Sequence, residues 1–246
     1  QEFHSSYWGH LGLLDLREHF LTPDFSGYQG TAMASAWPDN GEVARLAHEQ
    51  GALVGYAHPF DLPVDPDKDA SLSNEFPADV AMGRVDYYEV VGFSDHRASA
   101  DIWYRLLNLG YRIPAGAGTD AMTNYASLRG PVGVARVLLD TQGEATPESL
   151  HAAIKAGRGV ATNSAQLAFE VGGQGPGGTI SLAQPGKLKY RIAMRSIVPM
   201  QHVEVVQDGK VVATLAPGAS VDAEGEVELS GSGWLLLRAW NEGADP

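Results

Sequence analysis

Four residues have the side-chain types and spacing of a metal site: Glu2 and His10 at the start of the chain, then His58 and Asp120. Imidazole nitrogen and carboxylate oxygen together suit a hydrolytic Zn, Mn or Fe centre. A carboxylate can bridge two ions roughly 3.5–4 Å apart, a pair that acidifies a bound water and holds a substrate oxygen at once. A single His is more often a core or surface residue than a ligand. The combination carries more, because three of the four lie at or near strand-like ends with small or Gly neighbours. The run Ala52–His58 ends in His58 before Pro59, and the run Arg112–Asp120 ends in Gly-Thr-Asp. A third run, Val85–Val91, carries Glu89. In α/β barrels the carboxyl ends of parallel strands converge on one face, and active sites are built there.

The elements that must hold these residues alternate between helix and strand. Asp39 or Asn40 caps a helix through Gln50, with Val43, Leu46 and Ala47 on one face and Gly51 as its stop. Ser99 or Asp101 opens a second helix through Leu109, with Ile102, Leu106 and Leu109 as an apolar stripe. Thr146-Pro147-Glu148-Ser149 reads as the start of a third, with Pro at the first helical position and Gly157 as the stop. Helix followed by apolar strand, repeated, predicts βα units in a mainly parallel sheet or barrel over residues 1–165. From about Leu167 the chain becomes a series of strand-like runs with no helix pattern between them. Asp208-Gly209 between two Val-rich runs is a hairpin signal. Residues 166–246 therefore read as a small antiparallel β domain of sandwich type. The Gly-rich stretch 172–178 lacks the Lys-Ser/Thr ending and following helix of a phosphate loop, and reads as a connection between strands.

Bulk properties exclude several functions. The formal charge of −13, from 17 basic and 30 acidic residues, argues against nucleic acid as a partner. The absence of Cys removes disulfides, thiolate nucleophiles and Cys-based zinc sites. No Ser sits in a Gly-x-Ser-x-Gly elbow, which argues against a serine hydrolase. No apolar run approaches the roughly 20 residues of a membrane helix. A soluble protein of cytoplasm or periplasm, with no membrane partner, is expected. Both ends read as cut, because ligand-type residues crowd the first ten positions and the last residues follow directly on a strand-like run.

The motifs have a family likeness. Glu2-Phe3, Gly9-His10-Leu11, Ala57-His58-Pro59, Tyr88-Glu89-Val90 and Gly118-Thr119-Asp120-Ala121 resemble, in order, the later motifs of the PHP (polymerase and histidinol phosphatase) metallohydrolases. Four longer stretches are similar to the carbaryl-hydrolase-like branch, CehA/McbA. They are Tyr7-Trp8-Gly9-His10-Leu11, Thr22-Pro23-Asp24-Phe25, Val90-Val91-Gly92-Phe93-Ser94-Asp95-His96 and Ala126-Ser127-Leu128-Arg129-Gly130-Pro131-Val132-Gly133. Arg195-Ser196-Ile197-Val198-Pro199 and Leu237-Arg238-Ala239-Trp240 resemble that branch's β-rich C-terminal region. The resemblance spans nearly the whole chain. It implies an α/β fold, a distorted (βα)7 barrel of PHP type, incomplete here, followed by the small antiparallel β-sandwich-like domain. It implies that Glu2 bridges two ions, with His10 and His58 on one and Asp120 on the other. It also implies hydrolysis of an ester, carbamate or phosphoester by a metal-bound hydroxide. Two departures qualify the match. The wider family opens with a His-x-His motif and a further motif, and this chain has neither, so an upstream segment is expected to complete the site. Met122 stands where the wider family often has His, and a thioether suits Zn or Mn poorly. Two divalent ions are therefore expected, not three.

Other residues have two readings each. His96 is a candidate to donate to a developing oxyanion or to act as general acid, or is a loop His bonded to a neighbouring carboxylate. Arg129 is a candidate to orient a carbonyl or phosphoryl oxygen, or forms a loop-ordering salt bridge. His4 is a ligand candidate or a structural strand residue. Glu89 either steadies a ligating His or caps a barrel end. The function expected is that of a metal-dependent hydrolase, with Zn, Mn or Fe as cofactor and a small-molecule ester or carbamate as substrate. A PHP-type phosphoesterase is the alternative within the class. A non-catalytic degenerate barrel that binds a partner is the alternative outside it. The sequence leaves homo-oligomerisation open.

Overall fold

The computed structural model describes residues 1–5, 7–20, 36–60, 65, 67–68, 74–122 and 128–243. The stretch Thr22-Pro23-Asp24-Phe25 and the Ala126-Ser127 start of another motif lie outside them. Five strands form the sheet that carries the candidate ligands: β1 (Glu2–Phe3), β2 (His10–Leu14), β3 (Leu53–Ala57), β4 (Tyr87–Val91) and β5 (Ala115–Ala117), side by side in chain order. β3, β4 and β5 run parallel, while β1 and β2 are antiparallel to their neighbours. Parallel neighbours need a crossover. Helix α2 (Phe76–Ala81) lies between β3 and β4 in the chain, and α3 (His96–Asn108) between β4 and β5; α1 (Asn40–Glu49) precedes β3.

The pleat then sorts the side chains. Successive residues of a strand point to opposite faces. Leu11 and Leu13 of β2 are buried, while His10, Gly12 and Leu14 alternate with them. The Leu11 face joins Phe3, Val54, Tyr56 and Tyr88 to Val43 and Ala47 of α1, Phe76 and Val80 of α2, and Ile102 and Leu106 of α3 in one core. The register sets Glu2 opposite Gly12, Gly12 opposite Gly55 and Gly55 opposite Tyr87. Glu2, His10, Leu14, Tyr87 and Glu89 therefore share the other face. Helices α1, α2 and α3 cover one side of the sheet and leave the candidate ligands on the other.

Two helix starts are set by Asp caps. Asp39 accepts from the Glu42 N–H at 2.7 Å, which opens α1. Asp95 accepts from the Arg97 and Ala98 N–H groups, both at 2.9 Å. Helix α3 thus opens at His96, ahead of the expected Ser99 or Asp101. The expected stripe also ends early: Leu109 is the C-cap and 73% exposed.

The expected (βα)7 barrel is not what the chain forms. Strand makes up 38% of the structure and helix 18%, with four helices among the described residues where such a barrel needs about seven. Among the described residues the sheet is open, β1 pairs antiparallel with β2 with no helix between them, and β2 pairs antiparallel with β3 although α1 lies between them in the chain. Strands β6 (Arg136–Leu139) and β7 (Gly159–Thr162) form a separate antiparallel pair, linked through α4 (Pro147–Lys155). An apolar strand after a helix was read as a βα unit. Hydropathy does not distinguish a parallel from an antiparallel partner, and that is where the expectation failed.

The remaining strands are β8 (Gln166–Val171), β9 (Gly186–Met200), β10 (His202–Gln207), β11 (Lys210–Thr214), β12 (Gly218–Leu229) and β13 (Leu235–Trp240). They make two antiparallel sheets, β12-β9-β8 and β11-β10-β13. Tyr190, Ile192 and Val227 of the first pack with Val205 of the second. Asp208 and Gly209 both have positive φ, 51° and 83°, as a two-residue hairpin turn with right-handed strand twist demands. Helix α3 leans on this region: Trp234 Nε1 donates to Asn108 Oδ1 at 2.8 Å and the Tyr104 and Trp234 rings lie 5.0 Å apart. No helix of the described residues is long and apolar enough to cross a membrane.

Candidate metal centre

His10 opens β2 and His58 directly follows β3. Because these strands are antiparallel, with His10 opposite Ala57, the amino end of one lies beside the carboxyl end of the other. Glu2 reaches the same edge from β1. The result is one cluster in which Glu2, His10 and His58 each offer a ligand atom, all within 4.8 Å of one another. His58 Nε2 lies 2.9 Å from Glu2 Oε1; His10 Nδ1 lies 3.2 Å from that oxygen and 3.2 Å from His58 Nε2. Donors around a tetrahedral ion with ~2.05 Å bonds stand ~3.3 Å apart, so the spacing fits one Zn-sized ion with a fourth position open. The donor chemistry fits as well. Two imidazole nitrogens and a carboxylate oxygen face one point, and in their deprotonated forms all three would offer lone pairs to a cation.

Electrostatics act in the same direction. Burial alone would raise the Glu2 carboxyl, but hydrogen bonds from His10, His58 and His4 outweigh it and hold Glu2 well below the usual carboxylate range. Burial opposes charge on His58, yet its contact with Glu2 prevails and raises the imidazole above its ordinary value. Glu89 holds the backbone in place: its Oε2 accepts the His58 N–H at 2.9 Å. Burial pushes the Glu89 carboxyl up to about 7 against that hydrogen bond. Gly118 makes room for it, since a Cβ there would collide with the Glu89 carboxylate. His58 and Asp120 both have positive φ, 28° and 54°. Such a backbone costs of order 1–3 kcal/mol in a non-Gly residue and persists where the surroundings over-determine it.

Asp120 stands apart from the triad. Its Oδ2 is 4.0 Å from His58 Nε2 but 2.7 Å from Arg129 Nη1. Arg129 also lies over the Phe93 ring, with Cζ 4.6 Å from its centroid. Arg129 is thus placed as the partner of Asp120, and the donor group formed by the described residues is Glu2, His10 and His58. His96 Nε2 lies 2.8 Å from the Gly92 carbonyl, which only accepts, so that nitrogen carries the proton. It is bonded to backbone, not to a carboxylate. His4 is a residue that sequence reasoning undervalued. Its Nε2 lies 3.2 Å from Glu2 Oε2 and its ring stacks on His10 at 4.5 Å. Its place two residues after Glu2 in an extended stretch is the signal that could have found it. No family model, curated protein or solved structure matches this chain.

Proposed function

We propose that the chain is a metal-dependent hydrolase of a neutral ester or carbamate, with Glu2, His10 and His58 holding the ion. The convergence of three ligand atoms from strands β1, β2 and β3 within 4.8 Å carries this reading. A bound ion would acidify a water and polarise a carbonyl. The protein's own groups set the rest. His4 supports the Glu2 carboxylate from its second oxygen. Glu89 fixes the backbone of His58. Asp120, held by Arg129 at the same edge, is a carboxylate outside the triad and the candidate proton acceptor at Oδ2. The carboxyl groups of Glu2, Glu89 and Asp120 gather at this edge, where the Arg129 guanidinium is engaged by Asp120, and this supports a neutral ester or carbamate.

The test is elemental mass spectrometry on the purified protein and on His58→Ala, followed by a comparison of p-nitrophenyl acetate with p-nitrophenyl phosphate. About one Zn, Mn or Fe per chain in the parent, at least about ten-fold less in the variant, and turnover of the acetate are expected. A parent that binds no divalent ion overturns the proposal.

A further inference from the structure

On the ligand-bearing face of the five-stranded sheet lies a cavity of about 300 Å³, roofed by the β6–β7 pair and α4. The cavity is partly open to the surface. It lies at the lower bound of the volumes that hold small ligands. Leu14, Tyr87, Val137, Leu139 and Ile154 make its apolar wall, and Glu89 is the one charged side chain of the lining. Residues 115–118, Ala-Gly-Ala-Gly, keep its floor low. The Tyr87 ring is fixed across that floor: its O–H donates to the Gly12 carbonyl at 3.0 Å, and a Cβ on Gly116 would come within 2.7 Å of it. The wall carries no Lys or Arg.

The cavity adjoins the candidate metal centre through two groups. Glu89 lines it and also holds the His58 N–H at 2.9 Å. Gly118 lines it and precedes Asp120 by two residues. A carboxylate offers about four acceptor sites, and this one gives a single lone pair to His58. An occupant that matches the wall is apolar over most of its surface, carries one N–H or O–H donor, and bears no negative charge.

We infer that this cavity is a binding subsite for a ring-sized apolar group with one hydrogen-bond donor, set against Glu89. It rests on the proposed function only in naming that group as part of the substrate; the cavity itself stands on its lining. Such a subsite selects against phosphorylated and carboxylated compounds, because nothing in the wall compensates an anion.

Calorimetric titration or protein-observed NMR at pH 8 on chelator-treated protein tests it with three probes: benzyl alcohol, toluene and benzoate. Saturable binding in the order benzyl alcohol, then toluene, with benzoate at least about ten-fold weaker than either, is expected. Filling the space should weaken benzyl alcohol by about ten-fold or more in Val137→Trp and, separately, in Ile154→Phe. Circular dichroism verifies that each variant is folded. The inference is overturned if no probe saturates in the parent, if benzoate matches benzyl alcohol, or if a folded filled variant binds as the parent does. Probe binding without metal binding leaves the cavity and removes the hydrolase; metal binding without probe binding does the reverse.

Discussion

Asp79 shows how a single buried residue serves the site from a distance. It is 1% exposed and accepts the Tyr56 O–H at 2.6 Å. Tyr56 in turn accepts from Asn40 Nδ2, which also donates to the Trp8 and Gly9 carbonyls just before His10. The network anchors the approach to a candidate ligand onto α1. Burial pushes the Asp79 carboxyl up to about 6, against the Tyr56 hydrogen bond. A folded pKa above the unfolded value means a contribution that is full below pH 4 and lost as pH rises through about 6. Relative to Asp79→Asn, the parent should lose on the order of 2–3 kcal/mol of stability between pH 4 and pH 7. Urea midpoints of the two proteins across that range measure it, and parallel curves would refute it. At this scale the sequence shows residue types and misses their partners. Glu2, His10 and His58 were legible as ligand types. A salt bridge was one of the two readings of Arg129, but its partner Asp120 was not legible, because residues nine positions apart carry no periodic signal.

Elements were legible where local chemistry decides them. Helix α1 follows from Asp39 and the Val43–Ala47 face, and α4 from Thr146, whose side chain and Ser149 cap each other's backbone N–H. Helix α3 was displaced because two side chains competed to cap it. Asp95 has extended backbone and reaches two N–H groups, so it prevails over Ser99, which lies buried inside the helix. Asp95→Ala should cost about 1 kcal/mol, seen as a lower urea midpoint. Asp101→Ala, which removes the rejected cap, should leave the midpoint within about 0.5 kcal/mol. Equal losses would show that the cap assignment is wrong. The direction of strand pairing was legible at the Asp208-Gly209 hairpin but not at β1 and β2. A strand buried on both faces, as β3 is, reads the same beside a parallel or an antiparallel neighbour.

For the whole molecule, the site belongs to the folded sheet and not to any segment. Glu2, His10 and His58 come from three strands, so an ion held by all three stabilises the folded chain alone. At 100 times its Kd such an ion adds about 2.7 kcal/mol. The thermal midpoint of the parent should rise with added Zn or Mn and fall with chelator, while Glu2→Gln/His10→Ala should respond to neither; an identical response in both proteins would sink the shared site. The sequence by itself determined the ligand-type residues, the absence of thiol chemistry, the acidic surface, three helices and the Asp208-Gly209 hairpin. These follow from side-chain chemistry and from interactions within a few residues. Only the tertiary structure decided that the sheet is open and mixed, that His4 joins the cluster, that Asp120 is paired away from it, and that a cavity lies on the same face. Each of these depends on which strands become neighbours and in which direction, and that choice is made by packing between segments tens of residues apart.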